Sequence, residues 1–211
     1  SRGCPYTCNF CASPKFWDRK VRFHSTEYVG GWIKYLKKTG FNNLYFVDDS
    51  FVIRKNRLED ICRVLRDNNI FWRCNVRGDS ITKEVIDIMY TGGCRQIDIG
   101  VETGSQILLD KINKKEKVED NFNAIQLAKN KGIIAKACLM VGLPGETQQD
   151  INLTIDFIEK SKPDSVTLCT FVPLPGCAYW NELTNEDDKV AVDFDKFILF
   201  EDIETFKMCL S

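Results

Sequence analysis

The stretch "IAKACLMVGLPGET" at residues 134–147 decides how the rest of the chain is read. Nine mainly apolar residues of strand length run into a glycine-proline turn, and Thr147 with Asp150 then forms the pattern of a capping box. A strand feeding a helix start through a tight turn is half of a β-α unit. The same unit recurs outward in both directions. Apolar runs of strand length stand at "NLYFV" 43–47, "FWRCNV" 71–76, "QIDIGV" 96–101 and "SVTLCTF" 165–171. Between them helical spacing is read in Leu58, Ile61, Cys62, Leu65, in Val85, Ile86, Met89, in Phe122, Ile125, Ala128, and in Ile151, Ile155, Ile158. Ser25 is placed to cap a helix from Thr26 to about Lys38 that stops at Gly40, while "TGG" 91–93 and "NKG" 130–132 close two more.

Alternating β and α predicts an α/β fold with a parallel sheet and right-handed crossovers, closed or open. Each strand is followed by a polar or glycine-rich run: "DDSF" 48–51, "RGDS" 77–80, "ETGS" 102–105, "GLPGET" 142–147 and "PLPG" 173–176. Parallel α/β folds build their sites at that edge. From about Asn185 the pattern weakens into "NEDDKVAVDFDKF", so residues 1–184 are read as one core domain and 185–211 as the start of a further element. The chain opens inside a motif, as an excised fragment would.

Its 211 residues are 44% hydrophobic and 28% charged, with a net charge of -1. That composition can bury a full core and gives no global field toward nucleic acid or a membrane surface. No basic stripe with interleaved aromatics is present, no apolar run approaches the roughly 18 residues of a membrane span, and no secretory signal is visible. Ten cysteines in a chain this large fit scattered small core residues better than a secreted disulfide scaffold, which predicts a reducing, cytoplasmic setting.

Three of those cysteines, Cys4, Cys8 and Cys11, are gathered in the spacing C-x3-C-x2-C. Three is odd for disulfides and one short of a closed four-thiolate cage. Thiolates suit iron–sulfur clusters, zinc or copper(I). On the residues alone three readings stand: a cluster with one open iron, an electron-transfer module whose cluster takes a fourth protein ligand, or a zinc-stabilised binding module completed by the single histidine, His24.

"RGCPYTCNFC" at 2–11 resembles the cluster loop of the radical SAM superfamily. With "DDSF", "GVETGS", "GLPGET" and "PLPG" in that order, residues 2 to 180 are similar to the branch that holds cobalamin-binding radical SAM enzymes and methylthiotransferases. The resemblance implies a partial (β/α)6 TIM-like barrel, its first strand lying upstream of Ser1. It implies that Cys4, Cys8 and Cys11 hold a 4Fe–4S cluster, that S-adenosylmethionine chelates the open iron, and that its reductive cleavage to a 5′-deoxyadenosyl radical starts hydrogen abstraction on an unidentified substrate, with methyl transfer or methylthiolation as outcomes. Asp48 and Asp49 match the place that meets the amino group of S-adenosylmethionine, Glu102 and Ser105 the ribose site, and Lys114 in "INKKEK" a partner for its carboxylate. Met140, Val141, Gly142, Leu143, Phe171 and Val172 match the adenine surface, and Cys177 stands where the family usually has threonine. Arg77 reaches the same edge, where it is expected to pair with Glu102 or face the substrate. An external low-potential electron donor of flavodoxin or ferredoxin type is implied, as is cobalamin on a domain outside this sequence.

Overall fold

The computed structural model describes residues 1–183, with side chains through Trp180. The five expected strands are β1 Asn43–Phe46, β2 Phe71–Arg77, β3 Cys94–Glu102, β4 Ile134–Val141 and β5 Ser165–Thr170. They pair in parallel in the order β1-β2-β3-β4-β5, and the sheet curls into a half-barrel. Helices α1 Ser13–Phe16, α2 Thr26–Lys38, α3 Lys55–Asp67, α4 Lys83–Thr91, α5 Gln106–Lys111, α6 Val118–Lys131, α7 Gln148–Ser161 and α8 Ala178–Leu183 complete the described residues. The span 185–211, read as a further element, and Cys209 within it lie outside the described residues.

Local chemistry sets the helix ends. Ser25 accepts the Tyr28 N–H at 3.2 Å and starts α2. Thr147 and Asp150 form the reciprocal box that starts α7. Gly132 ends α6 at φ 82°, a left-handed conformation that costs glycine nothing.

The strands alternate between two environments, because successive side chains point to opposite faces. Trp72, Cys74, Val76, then Ile97, Ile99, Val101, then Ala135, Ala137, Leu139 are buried against the helices. Leu58, Ile61 and Leu65 of α3, Ile86 and Met89 of α4, and Ala124, Ile125 and Ala128 of α6 pack against them in one core. The alternate positions, Arg73, Asn75, Arg77, Asp98, Lys136 and Cys138, form the concave face. An apolar barrel interior would be packed shut; this one is polar and open. Cys62, Cys74 and Cys94 are small core residues as expected, whereas Cys138 faces the lumen and is only half-buried. Burial, followed by the nearby Asp98 carboxylate, pushes its thiol up to about 11.

Helix α7 forms where Ile151, Ile155 and Ile158 show helical spacing, yet those residues do not make its buried face: Ile158 packs against the core while Ile155 is 49% exposed. The buried positions are Asp150, Thr154, Phe157 and Ser161. A polar face turns inward because it meets a polar loop: Thr154 Oγ1 lies 3.0 Å from Thr103 Oγ1 and accepts the Gly104 N–H at 2.9 Å. Ser105 donates to Asp150 at 2.5 Å. Hydrogen bonds, which spacing rules for apolar residues do not register, seat this helix.

Gly104 is where α7 and that loop touch most closely. A Cβ there would stand 2.5 Å from the Leu153 carbonyl oxygen and 2.7 Å from the Thr154 Cα. Gly104→Ala is therefore expected to cost about 1–3 kcal/mol, as overpacked sites do, and to lower the melting temperature by several degrees. An unchanged melt of the variant would mean that α7 does not sit on this loop.

Candidate functional site

The cysteine loop crosses the edge where the strands end. It is fastened on two sides. On one, Gly3 N–H donates to Asp49 Oδ2 at 3.0 Å and the Ser13 hydroxyl donates to Asp49 Oδ1. Asp49 follows β1, so its carboxylate ties the start and end of the loop to the sheet. Next to it the Ser1 hydroxyl donates to Asp48. On the other side Asn113 Nδ2 donates to the Thr7 carbonyl at 2.7 Å and to Thr7 Oγ1 at 3.1 Å, and Asn9 N–H donates to the Ile112 carbonyl at 2.9 Å. Phe10 packs into an apolar cluster of Leu108, Leu109, Ile112, Leu143, Cys177 and Tyr179.

Beneath the loop lies a group of buried charges. Lys114 is 3% exposed, and its Nζ donates to Glu102 Oε1 at 2.5 Å and to the Gly100 carbonyl at 2.5 Å. Glu116 Oε2 stands 3.4 Å from the same ammonium, and Glu116 Oε1 accepts the Asp79 N–H at 2.9 Å. Burial pulls the Lys114 pKa down, but Glu102 and Glu116 outweigh it and hold the ammonium above its ordinary value. Lys115 adopts φ 55°, so that Lys114 and Glu116 on either side of it both turn inward while Lys115 itself is exposed. Glu102 adopts φ 65° beside a register shift between β3 and β4. That left-handed geometry is uncommon for a residue with a side chain and is characteristic of functional or tightly determined positions. Gly100 leaves the room: a Cβ there would lie 2.8 Å from Glu102 Oε1 and 3.0 Å from Lys114 Nζ.

The expected Arg77–Glu102 pair is not made. Arg77 binds Asp79 in a fork at 3.1 and 2.8 Å and donates to the Lys114 carbonyl at 2.9 Å. Its guanidinium lies 3.8 Å from the Tyr6 ring centroid, and its Nη1 reaches Cys8 Sγ at 3.9 Å. Asp79 is the nearer carboxylate because it follows Arg77 by two residues in the 3₁₀ turn Gly78–Ser80. Glu102 and Lys114, matched to different groups of one ligand, are also paired with each other. Asp79 and Glu116 were not singled out in the sequence. The charge run "KKEK" around Glu116 reads as solvated, and only the turn at Lys115 buries it.

The other matched residues divide by burial. Ser105 is 0% exposed, with its hydroxyl committed to Asp150, and Leu143 is 2% exposed inside the Phe10 cluster. Neither presents its side chain to the mouth as expected. Met140, Val141, Phe171 and Val172 are half-buried at the ends of β4 and β5, and Gly142, φ 77°, is exposed beside them. Cys177 is buried.

The thiols fit a cluster better than one ion. Nine cysteines among the described residues are free. Burial raises the pKa of Cys4 and Cys11 and pushes Cys8 up to about 11, against the opposing pull of Lys114 and Arg77 on Cys8. A bound metal centre would offset that burial, because it favours the thiolate over the thiol. Among the described residues no three His, Cys, Asp or Glu side chains converge on a single-ion site, and His24 is exposed and stacked on Tyr28 with centroids 4.9 Å apart. One zinc needs its ligands converged within about 2.3 Å of a point, whereas a cluster takes each thiolate on a different iron.

Comparisons with known proteins agree with this arrangement. The model of the radical SAM superfamily matches residues 1–158. An uncharacterized methyltransferase of Pyrococcus horikoshii is 28% identical over 210 residues, covering 98% of this chain and 46% of the relative. The anaerobic magnesium-protoporphyrin IX monomethyl ester cyclase of Rubrivivax gelatinosus is 32% identical over 205 residues, covering 93% of this chain and 36% of the relative. The chain thus spans a third to a half of these relatives' lengths. The radical S-adenosylmethionine methyltransferase TsrM of Kitasatospora setae, solved with tryptophan and an S-adenosylmethionine analog, matches with a TM-score of 0.76 at 18% identity, over 86% of this chain and 37% of that one. The cobalamin-dependent S-adenosylmethionine radical enzyme OxsB, solved with aqua-cobalamin and S-adenosylmethionine, matches at 0.65 and 24% identity, over 88% of this chain and 29% of that one. At such identities the solved structures speak for the fold. Among the described residues no helix is long and apolar enough to cross a membrane. Members of the matched superfamily use a 4Fe–4S cluster and S-adenosylmethionine and need an external reductant. With its family model matched over most of its length and its half-barrel shared, the chain belongs to the radical SAM superfamily of enzymes.

Proposed function

We propose that residues 1–184 are the core of a radical SAM enzyme in which Cys4, Cys8 and Cys11 each ligate one iron of a 4Fe–4S cluster. The observation that carries this reading is a loop with three half-buried free thiols, fastened by Asp49 and Asn113 across the mouth of a parallel half-barrel. When bound, the cluster supplies the electron that cleaves the carbon–sulfur bond of S-adenosylmethionine, which opens hydrogen abstraction on a substrate. The chain's own residues prepare the site. Asp49 fixes the loop, and Asp48 borders the place assigned to the amino group of S-adenosylmethionine. Arg77 and Lys114 set positive charge beside Cys8, which lowers the cost of its thiolate. Glu102 keeps part of its carboxylate open at the mouth and accepts from the bound nucleoside. Lys114 is a positioning residue for Glu102. Met140, Val141, Phe171 and Val172 give an apolar wall that excludes water.

The enzyme names of the matched relatives favour methyl transfer, methylthiolation or ring closure as the outcome. Cobalamin is assigned to a domain outside this sequence, the electron donor to a flavodoxin- or ferredoxin-type protein, and the setting to the cytoplasm.

Two experiments test the reading. After anaerobic reconstitution, Ala at Cys4, Cys8 or Cys11 abolishes the iron content and optical spectrum of the cluster, while His24→Ala and Cys138→Ala keep both. Zinc recovered from the parent and lost from the His24 variant would sink the proposal. The buried charges separate two further variants. Lys114→Met strands Glu116 and Glu102 and costs about 3–5 kcal/mol in the melt of the metal-free protein. Glu102→Gln costs far less, because Glu116 still faces Lys114, yet it weakens S-adenosylmethionine binding on the order of ten- to a hundredfold by calorimetry. Equal melts for the two variants would remove Lys114 from its positioning role, and unchanged affinity would remove Glu102 from the site.

A further inference from the structure

The concave face has a base as well as a mouth. At the N-terminal ends of β1–β4 lies a cavity of about 490 Å³ bordered by Tyr45, Phe71, Arg73, Arg95, Gln96 and Ile134. None of these residues belongs to the strand-end motifs. Tyr45 is 41% exposed, Phe71 48% and Ile134 48%, so the walls are apolar and open. Arg73 lies on β2 four residues before Arg77, which places it about 13 Å below the mouth at the rise of a strand.

The two arginines are the unusual feature. The Arg73 guanidinium lies 4.1 Å from the Tyr45 ring centroid, and the Arg95 guanidinium 4.7 Å from Phe71 and 4.9 Å from Tyr90. Arg95 Nη1 donates to the Cys94 and Tyr90 carbonyls at 2.8 and 3.3 Å. Among the described residues neither guanidinium meets a carboxylate. Every other cation of the concave face does: Lys136 faces Asp98 at 4.0 Å, Arg77 binds Asp79 at 2.8 Å, and Lys114 binds Glu102 at 2.5 Å. A guanidinium held against a ring is pre-oriented, and the donors it has not committed to carbonyls can meet oxygen anions. Asp98 of the same face is held by Lys136 at 4.0 Å and by Gln96 Nε2 at 2.6 Å.

We propose that this base binds the acid group of an organic-anion substrate: a carboxylate or phosphate whose adjoining apolar part rests on Tyr45, Phe71 and Ile134, the rest of the substrate crossing the polar row of Asn75, Asp98 and Lys136 toward the mouth. The inference rests on the lumen being the substrate's place, and it adds the substrate's chemical class. Asn75, which accepts from Tyr45 Oη at 2.7 Å, fixes the ring on which Arg73 lies.

The test is calorimetric titration of the full chain at low ionic strength, with and without reconstituted cluster. The probes are 6-phenylhexanoate, 6-phenylhexyl phosphate and the neutral 6-phenylhexanamide. An acid is expected to bind saturably and at least tenfold tighter than the amide, and the tighter of the two acids identifies the anion. Arg73→Gln and Arg95→Gln each weaken acid binding about tenfold, the worth of one charge-assisted contact. Arg73→Lys retains more affinity than Arg73→Gln, and a melt matched to the parent shows that these variants fold. Cluster-free protein binds the acid as well, because the base consists of strand residues, so a failure of cluster assembly in the cysteine variants is a separate result. Acid and amide bound equally, or acid binding undiminished in the Arg73→Gln/Arg95→Gln double variant, overturns the proposal.

Discussion

The Lys114 ammonium is the point on which the mouth of the half-barrel depends. An ammonium this deeply buried is tolerable only with partners on several sides, and its partners come from different parts of the chain. The Gly100 carbonyl and Glu102 bring the end of β3, and Glu116 brings the segment before α6. Glu116 in turn accepts the Asp79 N–H, and Arg77 donates to the Lys114 carbonyl, which adds the end of β2. One charge thereby sets the spacing of two strand ends and the loop beneath Cys8.

The cysteine loop is built on that platform and not beside it. Asn113, next to Lys114, holds Thr7, while Asp49 on the far side holds Gly3 and Ser13. These contacts join residues about 40 to 100 positions apart in sequence. A ten-residue loop has too little apolar surface of its own to bear the entropy of ordering, so its shape comes from the sheet edge that receives it. Glu102, and Asn113 and Lys115 on either side of its partner Lys114 in sequence, all have left-handed backbone, held there by surrounding contacts against local preference.

The concave face has a division of labour along its length. At the top, Arg77 and Lys114 are paired with carboxylates beside Cys8. In the middle, Asn75 and Asp98 are held by Tyr45, Gln96 and Lys136. At the bottom, two arginines lie on aromatic rings. A polar interior of this kind supplies little packing energy, so the stability of the sheet comes from its convex face, where Trp72, Ile97, Ile99, Ala135 and Ala137 meet the helices.

Periodicity by itself determined the strands, most helices and the edge at which the site forms, because each depends on the spacing of apolar residues and on turn chemistry within a few positions. The five apolar runs became β1–β5, and Ser25, Thr147 and Gly132 ended their helices where local geometry required. The cysteine spacing likewise marked the loop on which the proposed cluster site rests. What the tertiary structure decided was pairing. Glu102 found Lys114 and not Arg77, Ser105 turned to Asp150, and the inward face of α7 proved polar. Such choices depend on which charge or hydroxyl lies nearest after folding, across separations that no local pattern encodes, and on single left-handed residues such as Lys115 that turn a solvated-looking charge run into a buried one.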